Sequence, residues 1–418
     1  LHLSIRRQRQ MCIRDRFLIY KTHKMNLFDV YPLYSITPVK AFDCIITDEN
    51  GVEYLDLYSG HGVISIGHSH PKYVNKLKDQ LDKIGFYSNA IQNPLQVELA
   101  KKLGELSGYE DYSLFLCSSG AEANENALKL ASFHTEKSRI IAFENSFHGR
   151  TSAAVAATDN KKIVAPMNAQ QSVTFLPLNK IELVEKELEK GDVCCVIIEG
   201  IQGVGGLDMG TTEFFQGLEK ICALYDVVLI LDEVQSGYGR SGKFFAHQYH
   251  DIKPDIISIA KGMGNGFPIG GILISPKIKA SYGLLGTTFG GSHLSSSAGI
   301  VVLETIKNEK LQENATKIYQ HFLEVIKDMP YVKKIKGKGL MLGLEFDFDV
   351  NELRKKLIIE KHVFTGNSSN KNLLRILPPL TITKEAINHF VIVLKEALIE
   401  LWQTGLGEGV IELNKIKG

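Results

Sequence analysis

Short runs of consecutive apolar residues alternate with helical spacing through the middle of the chain. The runs lie at residues 114–117, 140–143, 173–176, 193–198, 227–231, 256–259 and 272–275. Between them apolar residues recur every three to four positions, as from 121 to 133 and from 214 to 225. A strand that is apolar along its whole length is buried on both faces, and helices supply the cover on each side. This alternation predicts an α/β fold with a mostly parallel sheet between two layers of helices.

The two ends of the chain carry a different pattern. Residues 44–47 and 53–57 flank the turn Asp48-Glu49-Asn50-Gly51 and predict a small hairpin. Beyond about residue 305, short strands mix with amphipathic helices, and the apolar spacing of residues 385–402 predicts one such helix. We therefore expect a large domain over residues 81–304 and a smaller α+β domain built from residues 25–80 and 305–418.

The first 24 residues differ from the rest in charge. They hold seven of the 48 Lys and Arg residues but only one acid, Asp15. Met25 would be a suitable first residue of the protein, so we expect residues 1–24 to be a non-native or disordered extension outside the fold. The remainder has a small excess of acids, which argues against nucleic acid as a partner. The sequence contains no run of 18 apolar residues, so a membrane-spanning helix is not expected.

The six cysteines indicate neither disulfides nor a metal site. None of them forms a CxxC pair, and no His or Cys pair has the spacing of a zinc site. Most of them lie within apolar runs, as free thiols do in the cores of cytoplasmic proteins. We therefore expect buried, reduced thiols, a cytoplasmic location and no bound metal.

Two charged residues stand at the carboxyl ends of predicted strands. Asp232 follows the run 227–231, and Lys261 follows the run 256–259. Ligands of open α/β sheets bind at this edge, so the carboxylate and the amine can face one cavity. Taken alone, each residue is more often half of a structural ion pair.

The turn after residues 114–117 is a third feature of this kind. Ser118-Ser119-Gly120-Ala121 opens a helix there, and small residues let backbone N–H groups approach an anion. A plain helix cap by Ser119 is the alternative. No GxxxxGK[ST] loop occurs, and the glycines of residues 262–266 do not open a dinucleotide-binding unit. A phosphate site, a carboxylate and a lysine together suit pyridoxal 5'-phosphate (PLP), whose phosphate, ring nitrogen and aldehyde need these three partners.

Several longer motifs follow one another along the chain. They are Asp56-Leu57-Tyr58-Ser59-Gly60, Gly67-His68-Ser69-His70-Pro71, Phe147-His148-Gly149-Arg150-Thr151, Glu199-Gly200-Ile201-Gln202-Gly203, Leu231-Asp232-Glu233-Val234-Gln235, Ala260-Lys261-Gly262 and Thr287-Thr288-Phe289-Gly290-Gly291. From about residue 25 to residue 401, this order resembles the class-III (ω-amino acid) aminotransferases of PLP fold type I. Within the family, the resemblance is strongest to members that act on acetylornithine in arginine biosynthesis.

The resemblance implies a role for ten positions around the cofactor. Lys261 would bind it covalently and then move the proton, and Asp232 would keep the pyridine nitrogen protonated. The other contacts would come from Ser119, Gly120 and Ala121 at the phosphate, Phe147 and Val234 on the two ring faces, His148 beside Phe147, and Gln235 at the phenolic oxygen. Thr288 would reach the phosphate from a partner subunit, so a homodimer is expected. For Phe147 and Val234, ordinary core packing remains the alternative.

Two arginines are the expected substrate ligands. Arg375 matches the carboxylate-binding arginine of the family, and a guanidinium suits bidentate recognition of a carboxylate. Arg150 would take the distal carboxylate of 2-oxoglutarate. A surface arginine is the alternative for each, and the apolar and proline neighbours of Arg375 weigh against it there.

Val204 departs from the family pattern. Family members commonly carry a glutamate at this position, where it pairs with the carboxylate-binding arginine while an ω-amine reacts. Valine cannot do so, and two interpretations stay open. Either another acid takes over, or Arg375 stays free throughout.

The resemblance implies transfer of the terminal amine of N-acetylornithine or N-succinylornithine to 2-oxoglutarate. Another class-III transaminase, acting on ornithine, a β-amino acid or alanine, is the alternative. A catalytically silent protein of the same fold is a further possibility, but the intact Asp232, Gln235, Lys261 and Thr288 argue against it.

Overall fold

The protein is described by a computed structural model that covers residues 27–403. Residues 27–37 are a separate unit without helix or strand, and almost all of their side chains are exposed. From residue 38 onwards the strands are, in chain order, β1 Pro38–Phe42, β2 Ile45–Asp48, β3 Glu53–Asp56, β4 Ser113–Cys117, β5 Arg139–Phe143, β6 Val173–Leu176, β7 Val193–Glu199, β8 Val228–Asp232, β9 Ile256–Ile259, β10 Gly270–Ile274, β11 Lys334–Lys338, β12 Met341–Glu345, β13 Val363–Phe364 and β14 Leu373–Ile376. The helices of more than one turn are Pro71–Leu81, Pro94–Ser107, Gly120–Thr135, Ser152–Ala156, Ile181–Leu188, Thr212–Leu224, His293–Asn308, Leu311–Ile326, Asn351–Ile359 and Lys384–Gln403.

The largest sheet has seven strands in the order β4-β10-β9-β8-β7-β5-β6. Strands β5 to β9 pair in parallel, whereas β10 runs antiparallel to both of its neighbours, β4 and β9. The connection from β9 to β10 is too short for the crossover that a parallel strand needs, so the chain reverses direction there. The predicted α/β fold with a mostly parallel sheet is confirmed.

Both faces of this sheet are covered, as its continuous apolar strands predict. On β8, Ile230 belongs to a cluster with Ala127 of the helix Gly120–Thr135. Its neighbour Leu231 belongs to a second cluster, with Phe215 of the helix Thr212–Leu224. Successive side chains of a strand point to opposite faces, so each helix covers one face. Burial of every residue of β8 follows from this arrangement.

The carboxyl ends of the parallel strands lie along one edge of the sheet. Glu199 ends β7 and lies opposite Asp232, which ends β8, and Asp232 lies opposite Ser258 of β9. Asp232 is therefore the last residue of its strand rather than the first residue after it. Lys261 follows β9, and Ser118 follows β4, at the same edge.

Two smaller sheets are built from the ends of the chain. One has the order β1-β2-β3-β13, in which the predicted hairpin β2–β3 is antiparallel and β13 pairs in parallel with β3. The other has the order β11-β12-β14 and carries Arg375 on β14. The pairing of β13 with β3 joins segments from both ends of the chain, from which the smaller domain is expected. Its boundaries near residues 80 and 305 remain a prediction.

Two other expectations can be compared with the described part of the chain. Five of the six cysteines are buried and unpaired, and Cys12 lies outside the described residues together with the whole extension 1–24. Among residues 27–403, no helix has the length and apolarity needed to cross a membrane.

Candidate active site

A cavity of about 350 Å³ opens at the carboxyl edge of the central sheet. It is bounded by the segments that follow β4, β5, β7, β8 and β9. Of the predicted site residues, its wall contains Ser119, Gly120, Ala121, Phe147, His148, Arg150, Asp232, Val234, Gln235 and Lys261. Arg375 and Thr288 are not part of that wall.

The helix Gly120–Thr135 begins at the cavity. Ser119 caps it, since its hydroxyl accepts a hydrogen bond from the Glu122 N–H at 3.2 Å. At Gly120 a Cβ would lie 2.5 Å from Cγ1 of Val234, so only glycine lets the turn and Val234 approach so closely. The cap interpretation of Ser119 is therefore correct, and the first turn still presents free N–H groups that suit an anion.

Three hydrogen bonds hold the Asp232 carboxylate. Oδ2 accepts from Asn124 Nδ2 at 2.7 Å and lies 2.8 Å from His148 Nδ1, while Oδ1 accepts from the Val234 N–H at 3.0 Å. Asn124 is in turn fixed by the Ser258 hydroxyl, 2.5 Å from its Oδ1. The carboxylate is buried, and these three contacts fix its orientation.

Lys261 also lines the cavity and has a left-handed backbone conformation, with φ of 46°. Such a conformation is uncommon for a residue with a side chain and is found at functional sites. Burial in the cavity lowers the pKa of its amine, and the charges of Arg375 and Arg240 act in the same direction. Asp232 and Glu199 oppose this effect. The amine is therefore biased toward the neutral, nucleophilic form.

Glu199 is a site residue to which the sequence pattern assigned no role. Its carboxylate accepts from the Phe147 N–H at 3.0 Å and from the Gly203 N–H at 2.8 Å. Burial raises its pKa to about 7, with the neighbouring Asp232 charge adding to the effect and His148 opposing it. Its position could have indicated this residue from the sequence, because Glu199 ends an apolar run in the same way as Asp232.

Arg375 is 2% exposed and hydrogen-bonded to neutral oxygens. Its Nε donates to the Asn367 carbonyl, and Nη1 donates to the Gly203 carbonyl at 2.7 Å and to Gln235 Oε1 at 3.4 Å. Nη2 donates to the Tyr58 hydroxyl at 3.2 Å. Burial lowers the pKa of this guanidinium. The surface interpretation of Arg375 is wrong, whereas Arg150 is exposed at the cavity mouth, 6.0 Å from the Phe147 ring centroid.

Thr288 lies on an exposed segment away from the cavity of its own chain. That segment is fastened to residues 89–96 by hydrogen bonds from Asn89 to the Gly290 carbonyl and from Gln96 to the Gly291 carbonyl. Among residues 27–403 of a single chain, Thr288 therefore does not contribute to the wall of the cavity.

The residues present fit PLP. The helix N-terminus suits its phosphate, the buried Asp232 carboxylate suits its ring nitrogen, and Lys261 suits its aldehyde. His148 Nε2 is a buried nitrogen that lacks a partner among residues 27–403. With a mostly parallel seven-stranded sheet beneath, the site and the fold define a PLP-dependent enzyme of fold type I.

Comparison with known proteins narrows this class. Residues 29–398 match the family model of aminotransferase class-III. The acetylornithine aminotransferase of Bacillus subtilis is 39% identical over 379 residues, which cover 89% of this chain and 97% of that protein. The acetylornithine aminotransferase of Methanocaldococcus jannaschii is 36% identical over 387 residues, with 89% and 96% covered. The chain therefore belongs to the class-III aminotransferases and is a PLP-dependent transaminase.

Solved structures agree with this assignment. The ornithine δ-aminotransferase of Plasmodium falciparum superimposes with a TM-score of 0.76 at 27% identity, covering 92% of this chain and 97% of its own. The ornithine aminotransferase of Toxoplasma gondii gives a TM-score of 0.83 at 24% identity, with 94% and 96% covered, and shows the shared fold.

Proposed function

We propose that the enzyme transfers the terminal amine of N-acetylornithine, or of N-succinylornithine, to 2-oxoglutarate, a reaction of arginine biosynthesis. The observation that carries this proposal is the identity of 36–39% to acetylornithine aminotransferases over nearly nine tenths of the chain. The products would be an N-acylglutamate semialdehyde and glutamate.

PLP supplies an electron sink for the carbanion that forms when a substrate C–H bond breaks. Among the residues of the protein, Lys261 would hold the cofactor covalently, and its amine would then carry the proton between the substrate carbon and the cofactor. Its lowered pKa favours both tasks, because a neutral amine can attack and accept a proton.

Asp232 is proposed to keep the ring nitrogen protonated. Asn124 and His148 each contact its Oδ2, and the Val234 N–H occupies Oδ1, so the carboxylate cannot rotate freely. A fixed, buried carboxylate stabilises a nearby cation more than a solvated one does. The first turn of the helix at Ser119, Gly120 and Ala121 would hold the phosphate, and Gln235 would bind the phenolic oxygen.

Substrate carboxylates are proposed to bind Arg375 and Arg150. Arg375 has no ionic partner among the described residues, so a substrate carboxylate can supply its counter-charge. Arg150 is exposed at the mouth, where it can take the distal carboxylate of 2-oxoglutarate. The N-acyl group blocks the α-amine of the donor, so only the terminal amine can react.

A homodimer is also part of the proposal. Exposed apolar side chains surround the segment that carries Thr288, with Tyr87 59%, Ile91 60% and Phe289 65% exposed. Apolar patches of this kind mark interaction surfaces. A second copy packed there would cover them and could bring its Thr288 to the phosphate site.

Steady-state kinetics on a donor panel tests the proposed substrate. We expect kcat/KM with 2-oxoglutarate to be at least about tenfold higher for acetylornithine or succinylornithine than for ornithine, alanine and 4-aminobutyrate. Tenfold corresponds to about 1.4 kcal/mol, within reach of one acyl or carboxylate contact. If ornithine or alanine is the best donor, the alternative activity replaces this one and the assignment as a PLP transaminase is unaffected.

A further inference from the structure

The buried guanidinium of Arg375 is already well supplied with acceptors. Of its five N–H groups, four point at the oxygens of Asn367, Gly203, Gln235 and Tyr58. No carboxylate of residues 27–403 forms an ion pair with it. A substrate carboxylate that binds with both oxygens must therefore displace an acceptor. The two longest contacts, to Gln235 at 3.4 Å and to Tyr58 at 3.2 Å, are the weakest of the four hydrogen bonds. A substrate carboxylate therefore displaces these two acceptors most readily.

Tyr58 is placed against Arg375 by the backbone around it. Its ring centroid lies 5.7 Å from Cζ of the arginine, within the range of a cation–π contact. Gly366 exchanges two backbone hydrogen bonds of 2.9 Å with Arg375, and a Cβ on Gly366 would lie 2.2 Å from Cε2 of Tyr58. The absence of a side chain at Gly366 therefore creates the slot that the Tyr58 ring occupies.

His61 holds the hydroxyl of Tyr58. The backbone between them turns back through left-handed conformations, with φ of 52° at Ser59, 54° at Gly60 and 71° at His61. This brings Nδ1 of His61 to 2.5 Å from the Tyr58 hydroxyl oxygen. An arginine can only donate, so the Tyr58 oxygen accepts from Arg375, and the hydroxyl hydrogen is available to be donated to Nδ1 of His61. That arrangement needs a neutral imidazole, and partial burial of the ring together with the Arg375 charge lowers the pKa of His61.

The same turn also touches the cofactor side of the cavity. The carbonyl of His61 accepts from Gln235 Nε2 at 2.9 Å, which directs the Gln235 oxygen toward Arg375. Two of the neutral acceptors of Arg375 thus depend on one strained turn, and such turns persist where function requires them.

We propose that Tyr58 and His61 form a neutral cap on Arg375, in the place of the glutamate that Val204 replaces, and thereby set how readily Arg375 admits a carboxylate. This inference rests on the proposed role of Arg375 as the carboxylate ligand. Hydrogen bonds to a charged acceptor are about twice as strong as those to a neutral one. A substrate carboxylate therefore gains more from Arg375 than the displaced phenol loses, and neither an acid nor an empty guanidinium is needed.

Equilibrium binding of glutarate tests the cap without turnover. Glutarate has the two carboxylates of 2-oxoglutarate but no reactive carbonyl, and titration calorimetry on the holoenzyme measures its Kd directly. Tyr58→Phe keeps the ring in its slot and removes only the hydroxyl. We expect it to lower the Kd of glutarate three- to tenfold, because one N–H of Arg375 is then free. Tyr54→Phe is the matched control, since that buried hydroxyl bonds Asp48 instead and its loss should leave the Kd unchanged.

The Arg375→Lys background separates this inference from the proposed function. We expect Arg375→Lys to raise the Kd at least tenfold and to abolish the effect of Tyr58→Phe in the double variant. If Tyr58→Phe binds glutarate no more tightly than the wild type while Arg375→Lys weakens binding, the cap is disproved and the carboxylate role survives. If Arg375→Lys leaves the Kd unchanged, that role itself fails.

Discussion

At the scale of single residues, Lys261 combines a chemical advantage with a cost in stability. A buried amine whose charging is disfavoured is a better nucleophile, but it makes the folded apoprotein less stable than an apolar side chain would. Between the lowered pKa and its ordinary value of 10.5, the folded chain binds fewer protons at Lys261 than the unfolded chain. Stability contributed at this residue therefore rises with pH across that window.

Thermal unfolding of the apoprotein at a series of pH values measures this effect. We expect Lys261→Met to be more stable than the wild type at pH 7, by roughly 1 kcal/mol, and the difference to shrink as the pH approaches 10.5. Lys83→Met, at an exposed position, is the control and should show no such gap. A wild-type apoprotein as stable as Lys261→Met at pH 7 would contradict the argument.

The proposed catalytic roles give a second prediction at this scale. Lys261→Ala should lower kcat by about 10³-fold or more, because the variant has lost the amine that carries the proton. Asp232→Asn should still bind PLP but lose on the order of 10²–10³-fold in kcat, since an amide cannot stabilise a protonated ring nitrogen. Single-turnover absorbance of the loaded variants measures both losses. Turnover near the wild-type rate in either variant would remove that residue from the mechanism.

At the scale of elements, the helix Gly120–Thr135 has two tasks at its first turn. The Ser119 hydroxyl caps it through a 3.2 Å bond to the Glu122 N–H, and the same turn borders the cavity. The helix Thr212–Leu224 offers a matched comparison, because Thr211 caps it through a 3.2 Å bond to the Phe214 N–H and is not part of the cavity wall.

Removing either cap should have the same effect on stability but a different effect on the cofactor. We expect Ser119→Ala and Thr211→Ala each to lower the free energy of unfolding by about 1 kcal/mol. Only Ser119→Ala should raise the Kd of PLP, by about tenfold, because a phosphate contact is lost with the cap. Denaturant unfolding and PLP titration of the apoprotein measure the two quantities. Equal PLP affinities in the two variants would leave Ser119 as a cap alone.

At the scale of the whole molecule, the proposed dimer depends on apolar side chains that a single chain leaves exposed. The rings of Phe86 and Phe289 contact each other with centroids 5.3 Å apart, yet 43% and 65% of these residues remain exposed. We expect Phe289→Asp to dissociate the proposed dimer and to weaken PLP binding in the same step, because Thr288 of the partner is then lost. Sedimentation with and without PLP measures both effects. Ile392→Asp, on another exposed apolar residue, should leave them unchanged, and an active wild-type monomer would disprove the dimer.

The sequence by itself determined the central sheet and the chemistry at its edge. Continuous apolar runs can only be buried on both faces, so β5 to β9 and their covering helices follow from local pattern. Asp232, Lys261 and the Ser119 turn stand where those runs stop, and their side-chain types indicate the cofactor. Glu199 ends its apolar run as Asp232 does, so the same pattern could have indicated it as a site residue.

Only the tertiary structure decided the pairing of β10 with β4 and the surroundings of Arg375. Strand β10 pairs with β4 from a distant part of the chain. Three of the four Arg375 acceptors, on Gly203, Gln235 and Tyr58, likewise lie 140 to 317 residues away in the chain. The slot at Gly366 and the return of His61 to Tyr58 depend on backbone conformation that apolar spacing does not encode. Side-chain period reports which face of an element is buried, whereas contacts between distant segments are set by the packing of the whole chain.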